Sequence, residues 1–349
     1  MATKNRTTSY FLVDMNMWPK VVSLGVNAAT VYLVLASGTD KANTLTRWSV
    51  NSVELRTGIG RRRARATIDL LREKRILKKA GPPPYLQNEL VLSKEPDWVF
   101  LPSTLIDGAT IETPPLDRVR RLQNVALIDL LVRLYHLHDL PTDGGVDWRN
   151  LRQVYDRSLI TSRGRWNIFT FVHKTSTAPW SSPLRKAISG QTNESNDAFW
   201  EAIQALQGCG LIEFVQHLVE ADTDDAEIIV PMPQDCGTDD ERAVHAAMRS
   251  AALAVIGEGN GFYYEADSAE YLAVIPDSFP EVAMIGVPRL RYRPHSPKTS
   301  QWMAGMEHVR EYVESLALLE SAANEGLPLV HFPADLRQSA TSKGQRLKA

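Results

Sequence analysis

The sequence lacks the residue patterns that disulfides, structural metal sites and membrane spans require. Among 349 residues there are two cysteines, Cys209 and Cys236, without a CxxC pair or a histidine partner, so neither a disulfide framework nor a zinc site is expected. No stretch approaches the roughly eighteen consecutive apolar residues of a membrane-spanning helix, and the N-terminal residues MATKNRTTSY lack the apolar run of a secretory signal. We therefore expect a cytoplasmic protein with no membrane association.

The common signatures of catalysis are also missing. The chain has no GxxxxGK[ST] loop, no GxSxG elbow and no HExxH motif. His136, His138 and Asp139 stand at the end of a predicted helix, where histidine interacts favourably with the helix dipole. We therefore expect no enzymatic activity, no cofactor and no bound metal.

The charge is unevenly distributed, although the formal net charge of the whole chain is only −2. Residues 1–80 hold fifteen Lys/Arg and five Asp/Glu, a net charge of +10, and the remaining 269 residues carry −12. Two regions of opposite charge suggest that the first binds a polyanion and the second does not.

The N-terminal region has a regular pattern of helix and strand signals. It predicts, in order, a strand over Tyr10–Val13, a helix over Ala28–Leu35 with Asn27 as N-cap, a short helix from Ser49 or Asn51 to Thr57, a helix over Arg61–Arg75, and strands at Ile76–Leu77 and Glu89–Leu92.

The run SVNSVELRTGIGRRRARATIDLLREKRILKKA, residues 49–80, resembles helix 2, the turn, helix 3 and the first wing strand of the winged helix-turn-helix superfamily. Arg75 departs from the pattern, because such sequences usually have a glycine before the strand. The resemblance implies that residues 1–95 are a winged helix-turn-helix DNA-binding domain. It also implies that the N-terminal half of helix 3 enters the major groove.

A cluster of arginines stands at the start of this predicted helix 3. Ala64, Ile68 and Leu71 share one apolar face, so the arginines beside them are expected to be exposed. We expect Arg62 and Arg65 to contact base edges and Arg61 and Arg63 to contact phosphates. A solvated basic face is the alternative. The full predicted DNA-binding set is Arg61, Arg62, Arg63, Arg65, Arg47, Thr57, Lys78 and Lys79.

The rest of the chain gives weaker signals. Residues 96–236 are predicted to form a second winged-helix-like domain, with a leading strand at 98–102, a helix at 146–155 and an insertion near 157–195; an unrelated α+β domain is the alternative. Residues 237–335 are predicted to be an α+β domain of unknown role, and 336–349 a mobile basic tail. The expected fold class is mainly α with small β-hairpins (α+β).

The second domain does not have the charges of a DNA-binding surface. The loop at 220–227 is strongly acidic and would repel phosphate, although it could mimic nucleic acid or bind a basic partner. The insertion mixes basic residues with Trp166, Phe169, Phe171 and Trp180. Such a mixture can follow a nucleic-acid backbone and stack bases, but we favour the interpretation that these aromatics form a local core.

Two successive winged-helix-like modules resemble the layout of plasmid and phage replication initiators. This resemblance implies a replication-initiator-like protein of a mobile element, located at the bacterial nucleoid or on a plasmid. One alternative is a transcriptional regulator with a C-terminal dimerisation or sensing region. Another is the DNA-binding subunit of a larger nucleoprotein or defence complex. The expected partners are double-stranded DNA and either a protein or a second copy, bound through the acidic regions.

Overall fold

The computed structural model shows a mixed α+β protein. It describes residues 10–81, 87–108, 113–138, 145–179, 181–185, 194–257, 270–293 and 307–329, without the side chains of 194–196 and 307–308. Over these ranges, no helix combines the length and the hydropathy that crossing a membrane requires. The chain divides into two compact units. The first contains Met1–Val146, Trp180–Ile212 and Leu290–Ser300; the second contains Asp147–Pro179, Glu213–Arg289 and Gln301–Ala349.

The first unit consists mainly of helices, with two small sheets. Its elements are β1 (Tyr10–Asp14), α1 (Trp18–Val22), α2 (Val26–Ser37), β2 (Leu45–Thr46), α3 (Val50–Thr57), α4 (Arg61–Glu73), β3 (Leu77–Ala80), β4 (Gln87–Leu90), β5 (Trp98–Pro102), α5 (Thr104–Asp107), α6 (Pro115–Arg121), α7 (Val125–His136) and α8 (Glu194–Gly208).

Helix α2 is the centre of the first unit. Every residue from Ala28 to Ser37 is buried, so this helix has apolar contacts on all sides. A helix that is apolar all round must be enclosed by other elements, and α2 packs against α1, α3, α4, α6, α7 and β1. The tyrosine in this helix, Tyr32, is completely buried, and burial raises the pKa of its hydroxyl.

Two small antiparallel sheets complete this unit. Strand β1 pairs with β5, with Tyr10 opposite Pro102, and the second sheet has the order β2-β4-β3. The predicted strand β1, helices α2, α3 and α4, and strands β3, β4 and β5 are confirmed, with ends shifted by a few residues.

The second unit is built on a six-stranded sheet with the order β10-β7-β6-β11-β8-β9. Helices α9 and α10 pack against each other, and α9 covers β10 and β7. The elements are β6 (Arg152–Arg163), β7 (Trp166–Thr177), β8 (Ile212–Val219), β9 (Ile228–Pro231), α9 (Asp239–Ile256), β10 (Glu270–Pro276), β11 (Ala283–Leu290) and α10 (Glu307–Asn324). The first residue of β8 and the last of β11 fall in the first unit.

Several expectations for the chain beyond residue 95 were wrong. The helix predicted over 146–155 does not form, because the chain from Arg152 enters the long β6–β7 hairpin. The leading strand at 98–102 pairs with β1 instead of starting a second domain. Strands β8 and β9 form an antiparallel pair, but they are not a separate small hairpin, since β11 lies next to β8 in the large sheet. A mainly α fold with small hairpins therefore does not describe the second unit.

The division into units also differs from the predicted domain boundaries at 95 and 236. The N-terminal unit extends through α7 and includes α8, which packs on α7. The second unit combines the β6–β7 hairpin with segments from both later predicted regions. The tail at 336–349 lies outside the described residues.

A buried ion pair crosses the core of the second unit. Arg289 donates from Nη1 to Glu241 Oε1 at 2.6 Å, and both side chains are almost fully buried. The Nδ1 atom of His217 lies 2.8 Å from the Val215 carbonyl oxygen, which can only accept, so Nδ1 carries the proton and Nε2 accepts from Arg289 at 3.1 Å. Burial acts to raise the pKa of Glu241, but the charge and hydrogen bond of Arg289, together with the Thr238 N–H and the nearby His217, hold the pKa below its ordinary value.

The junction between α4 and β3 is a tight turn made without glycine. Arg75 has a φ of +56°, in the left-handed region. Its N–H donates to the Arg72 carbonyl at 3.0 Å, and the N–H of Ile76 donates to the Leu71 carbonyl at 2.9 Å. These bonds satisfy the last carbonyls of the helix, but the side chain makes the backbone conformation strained.

We predict that Arg75→Gly raises the free energy of unfolding by about 0.5–1 kcal/mol. Relief of left-handed strain, about 1–2 kcal/mol, exceeds the extra entropy that glycine gives to the unfolded chain. Urea denaturation would measure the change. Arg75→Ala is the control, because it removes the same side chain but keeps the strain; an equal gain in this variant would contradict the explanation.

We predict that Arg289→Met lowers the free energy of unfolding by about 3–5 kcal/mol, since it leaves the Glu241 carboxylate buried without its cation. The double variant Arg289→Met/Glu241→Gln should be more stable than Arg289→Met alone.

Because the pKa of Glu241 is depressed in the folded protein, the ion pair stabilises the fold above the ordinary glutamate pKa and loses this effect as the pH falls through the depressed value. The difference in the free energy of unfolding between wild type and Arg289→Met should therefore narrow in acid. A difference that does not change with pH would contradict the predicted role of the ion pair.

Candidate nucleic-acid interface

The turn between α3 and α4 is fixed by hydrogen bonds around Thr57. The Thr57 hydroxyl donates to the Val53 carbonyl at 2.7 Å and accepts from the Ile59 N–H at 3.2 Å. Gly58 adopts a left-handed φ of +65°, and Ile59 is buried against the core. Thr57 itself is only 1% exposed. The prediction that Thr57 contacts a nucleic-acid backbone conflicts with this burial. We therefore assign Thr57 to the turn and not to the DNA-contact surface.

Helix α4 has one buried face and one strongly basic end. Ala64, Thr67, Ile68 and Leu71 are buried, and this spacing of three and four residues leaves the opposite face in solvent. That face is centred on Arg62 and Ala66 and continues through Asp69 and Glu73, all of them exposed. The arginines predicted from the sequence therefore lie on or beside the outward face.

The four arginines at this helix end differ in their partners. Arg61 donates from Nε to Glu54 Oε2 at 2.7 Å, although its side chain remains 68% exposed. Arg62, Arg63 and Arg65 are exposed, and no side chain in the described part of the chain pairs with them. Three guanidinium groups are thus free to bind an anion.

The backbone at the start of α4 adds to this positive charge. The N-cap is Gly60, which has no side chain to bind the free N–H groups, and the first turn contains no acidic residue. The unpaired N–H groups and the positive end of the helix dipole both favour an anion. A phosphate near the arginines would therefore meet backbone donors as well.

Farther along, the outward face of α4 changes sign. Asp69 accepts from Arg72 Nη1 at 2.8 Å, and Glu73 pairs with Lys74 at 3.2 Å. Arg72 also donates to Asn88 Oδ1 at 2.7 Å and so ties α4 to β4. The basic surface is confined to the first two turns of the helix.

The remaining predicted contacts lie on neighbouring elements. Arg47 follows β2 and is exposed, and Lys79 on β3 is exposed with no partner among the described residues. Lys78 forms an ion pair with Glu89 of β4 at 2.9 Å. The proposed wing tip, residues 82–85, lies outside the described residues.

Two further interactions fix the position of α3 and were not predicted. The Arg56 guanidinium stacks on the Trp48 ring at 3.7 Å and donates to Asp107 Oδ1 at 2.7 Å. The Trp48 indole packs so closely on Gly38 that a Cβ there would overlap it. The sequence shows an arginine and a tryptophan eight residues apart, but it does not show that they meet.

The basic and aromatic residues of the predicted insertion are used inside the second unit. Trp166, Phe169 and Phe171 are buried in its core, which confirms that they form a local core. Arg157 donates to the carbonyls of Pro280 and Val282, both at 2.8 Å, and Lys174 pairs with Asp156. Trp180 lies outside the described residues. The described part of this hairpin therefore offers no set of free arginines comparable to α4.

The acidic loop at 220–227 is partly neutralised. Arg149 donates from Nε to the Asp224 carbonyl at 2.6 Å, and Arg152 lies 3.9 Å from Asp222 and 3.7 Å from Asp224. Both guanidinium groups pack near the ring of Trp148. Arg149, just before β6, and Arg152, its first residue, therefore hold this loop in place.

Comparison with protein-family models, with curated proteins and with solved structures finds no match to this chain. The function of this chain must therefore be inferred from the geometry of α4 and its surroundings.

Proposed function

We propose that residues 9 to about 93 form a winged helix-turn-helix that binds double-stranded DNA. The observation that carries the proposal is the group of exposed guanidiniums of Arg62, Arg63 and Arg65 at the uncapped N-terminus of α4, which have no partner among the residues that the structure describes. Arginines that served only solubility could equally stand beside acidic residues or a capping side chain. At the start of α4 both are missing from the described first turn.

The arrangement of elements supports the winged-helix assignment. Helices α2, α3 and α4 follow one another, α3 and α4 are joined by a three-residue turn, and α2 packs on both. The antiparallel pair β3–β4 follows, with β2 as the third strand beside β4. This order is that of a helix-turn-helix followed by a wing, in which the second helix of the turn enters the major groove.

Double-stranded DNA fits this surface better than RNA. The arginines lie on a helix, and the major groove of B-DNA is wide enough to admit one. The major groove of A-form RNA is deep and narrow, so a helix cannot reach its base edges. Trp48, just before α3, is stacked on the Arg56 guanidinium, so that face of its ring is not available to a base of a single strand.

The contacts divide into two groups. Arg62, at the centre of the outward face, and Arg65 beside it are proposed to contact base edges, since a guanidinium matches the O6 and N7 of guanine. Arg63, Arg47 and Lys79 are proposed to contact phosphates, and Arg61 and Lys78 to do so more weakly because each already has a carboxylate partner. Phosphate contacts set affinity and its salt dependence.

We predict that Arg62→Ala and Arg65→Ala each weaken binding of the full chain to its selected duplex by about 5- to 150-fold. This corresponds to the 1–3 kcal/mol of a guanine contact. Arg61→Ala should have a smaller effect, because Glu54 already offsets the charge of Arg61. Fluorescence anisotropy with duplexes enriched from a random pool would measure the affinities.

The matched control is Arg310→Ala, an exposed arginine of the second unit paired with Asp240. Its affinity for DNA should equal that of wild type. Wild-type binding should also fall steeply between about 50 and 200 mM salt, as several phosphate contacts require. Unchanged affinity in Arg62→Ala and Arg65→Ala, or a flat salt response, would remove the DNA-binding proposal.

For the biological role, we propose a replication-initiator-like protein of a mobile element. The support is the N-terminal module alone, since the helix predicted over 146–155 does not form and β8 and β9 belong to a six-stranded sheet. A transcriptional regulator and a subunit of a nucleoprotein complex are the competing roles, and they share the same DNA-binding surface.

We predict that footprinting of DNA flanking the protein's own gene shows several repeated sites, as initiation at an origin requires. A single palindrome next to a promoter would instead identify a regulator. Stable co-purification with other proteins, without repeated sites, would identify a subunit of a complex. Either of these results would contradict the initiator role while leaving DNA binding intact.

A further inference from the structure

Ala66 occupies the centre of the outward face of α4, where its neighbours are otherwise long or charged. It is exposed, as is Arg62 one turn before it. Side chains three and four positions apart are neighbours on a helix surface. Arg62 and Arg63 therefore border Ala66 on one side, and Asp69 and Leu70 border it on the other. The side chain of Ala66 ends at its methyl group, so the helix surface is lowest at this point.

The charges on the outward face of α4 change from basic to acidic close to Ala66. Arg62 and Arg63 attract a polyanion, whereas the exposed carboxylates of Asp69 and Glu73 oppose one. A duplex bound by the first two turns of α4 therefore has Ala66 at its closest approach. The partly exposed Leu70, one turn farther on, extends the apolar character of this point.

An apolar side chain in the major groove has one complementary group. The bases present hydrogen-bond donors and acceptors there, and the 5-methyl group of thymine is the apolar exception. We propose that the methyl group of Ala66 recognises the 5-methyl group of a thymine close to the base contacted by Arg62. This inference rests on the proposed DNA binding and specifies part of the sequence bound.

The spacing along the helix limits where this thymine lies. Arg62 and Ala66 are four residues apart, or about 6 Å along the axis, and bases follow one another at about 3.4 Å along a strand. The thymine is therefore placed within about two base pairs of the base contacted by Arg62.

The experiment removes one methyl group at a time from the DNA. Duplexes that the full chain enriches from a random pool are remade with deoxyuridine in place of each thymine in turn, and dissociation constants are measured by anisotropy. At one position, wild type should bind the uracil duplex about three- to fivefold more weakly, as the loss of one buried methyl group predicts. If every replacement is neutral, the proposal is overturned.

Ala66→Gly assigns the effect to this residue. The variant should bind the thymine and uracil duplexes with equal affinity, while wild type distinguishes them. Glycine also weakens the helix, but this cost affects both duplexes and cancels in the double-mutant cycle. The matched control is Ala317→Gly, an exposed alanine within α10, which should keep the wild-type preference. A preference that persists in Ala66→Gly would show that another residue recognises the methyl group and would overturn the inference.

Failure of the inference and failure of DNA binding give different results. If no duplex is enriched, or if Arg62→Ala and Arg65→Ala both bind as tightly as wild type, the proposed function fails and the inference fails with it. If Arg62→Ala loses affinity but uracil is tolerated at every position, DNA binding stands and only the role of Ala66 is rejected.

Discussion

The burial of α2 on all its faces is the constraint on which the first unit depends. A helix from Val26 to Ser37 without a polar side can exist only if other elements enclose it, and α1, α3, α4, α6, α7 and β1 do so. This requirement also orients α4. Since Ala64, Ile68 and Leu71 turn toward the core, Arg62 and Arg65 must turn toward solvent. The exposure of the arginines is thus a consequence of how the core is filled.

Local signals were sufficient to predict α2, α3, α4 and the strands β1, β3 and β4, whereas α1 and α6 were not predicted. The apolar spacing on α4, the glycines at 58 and 60 and the β-prone runs beside them all act over a few residues. The same reasoning failed at 146–155, where Trp148, Leu151 and Tyr155 are three and four residues apart, a spacing that also suits a helix. Only pairing with β7 determines that the chain from Arg152 is a strand. Likewise β5 pairs with β1 from almost ninety residues away, a contact that local periodicity does not contain.

The candidate site could be predicted in composition but not in detail. The sequence identified the arginine cluster, yet it did not show that Arg61, unlike Arg62, forms an ion pair with Glu54 across the turn. It also could not show that Thr57 is buried, since threonine occurs both in turns and on surfaces. The arginine at position 56 was overlooked because its role depends on Trp48 and Asp107, which come from different parts of the chain.

The clustering of free arginines at the start of α4 has a consequence for how such a protein could act. In the second unit, the described arginines near the acidic loop and on the β6–β7 hairpin are engaged by carbonyls and carboxylates, so they do not extend the basic surface of α4. A single module of this kind buries about 600–1,000 Å² on DNA, and each base contact adds only about 1–3 kcal/mol of discrimination. One copy on one short site therefore has limited selectivity against a whole genome. Selective occupancy would follow if several copies bound neighbouring sites, since linked binding multiplies affinity without new contacts. Repeated origin sites and a palindromic operator both provide neighbouring binding sites. An initiator would use the repeated sites, and a regulator would use the palindrome.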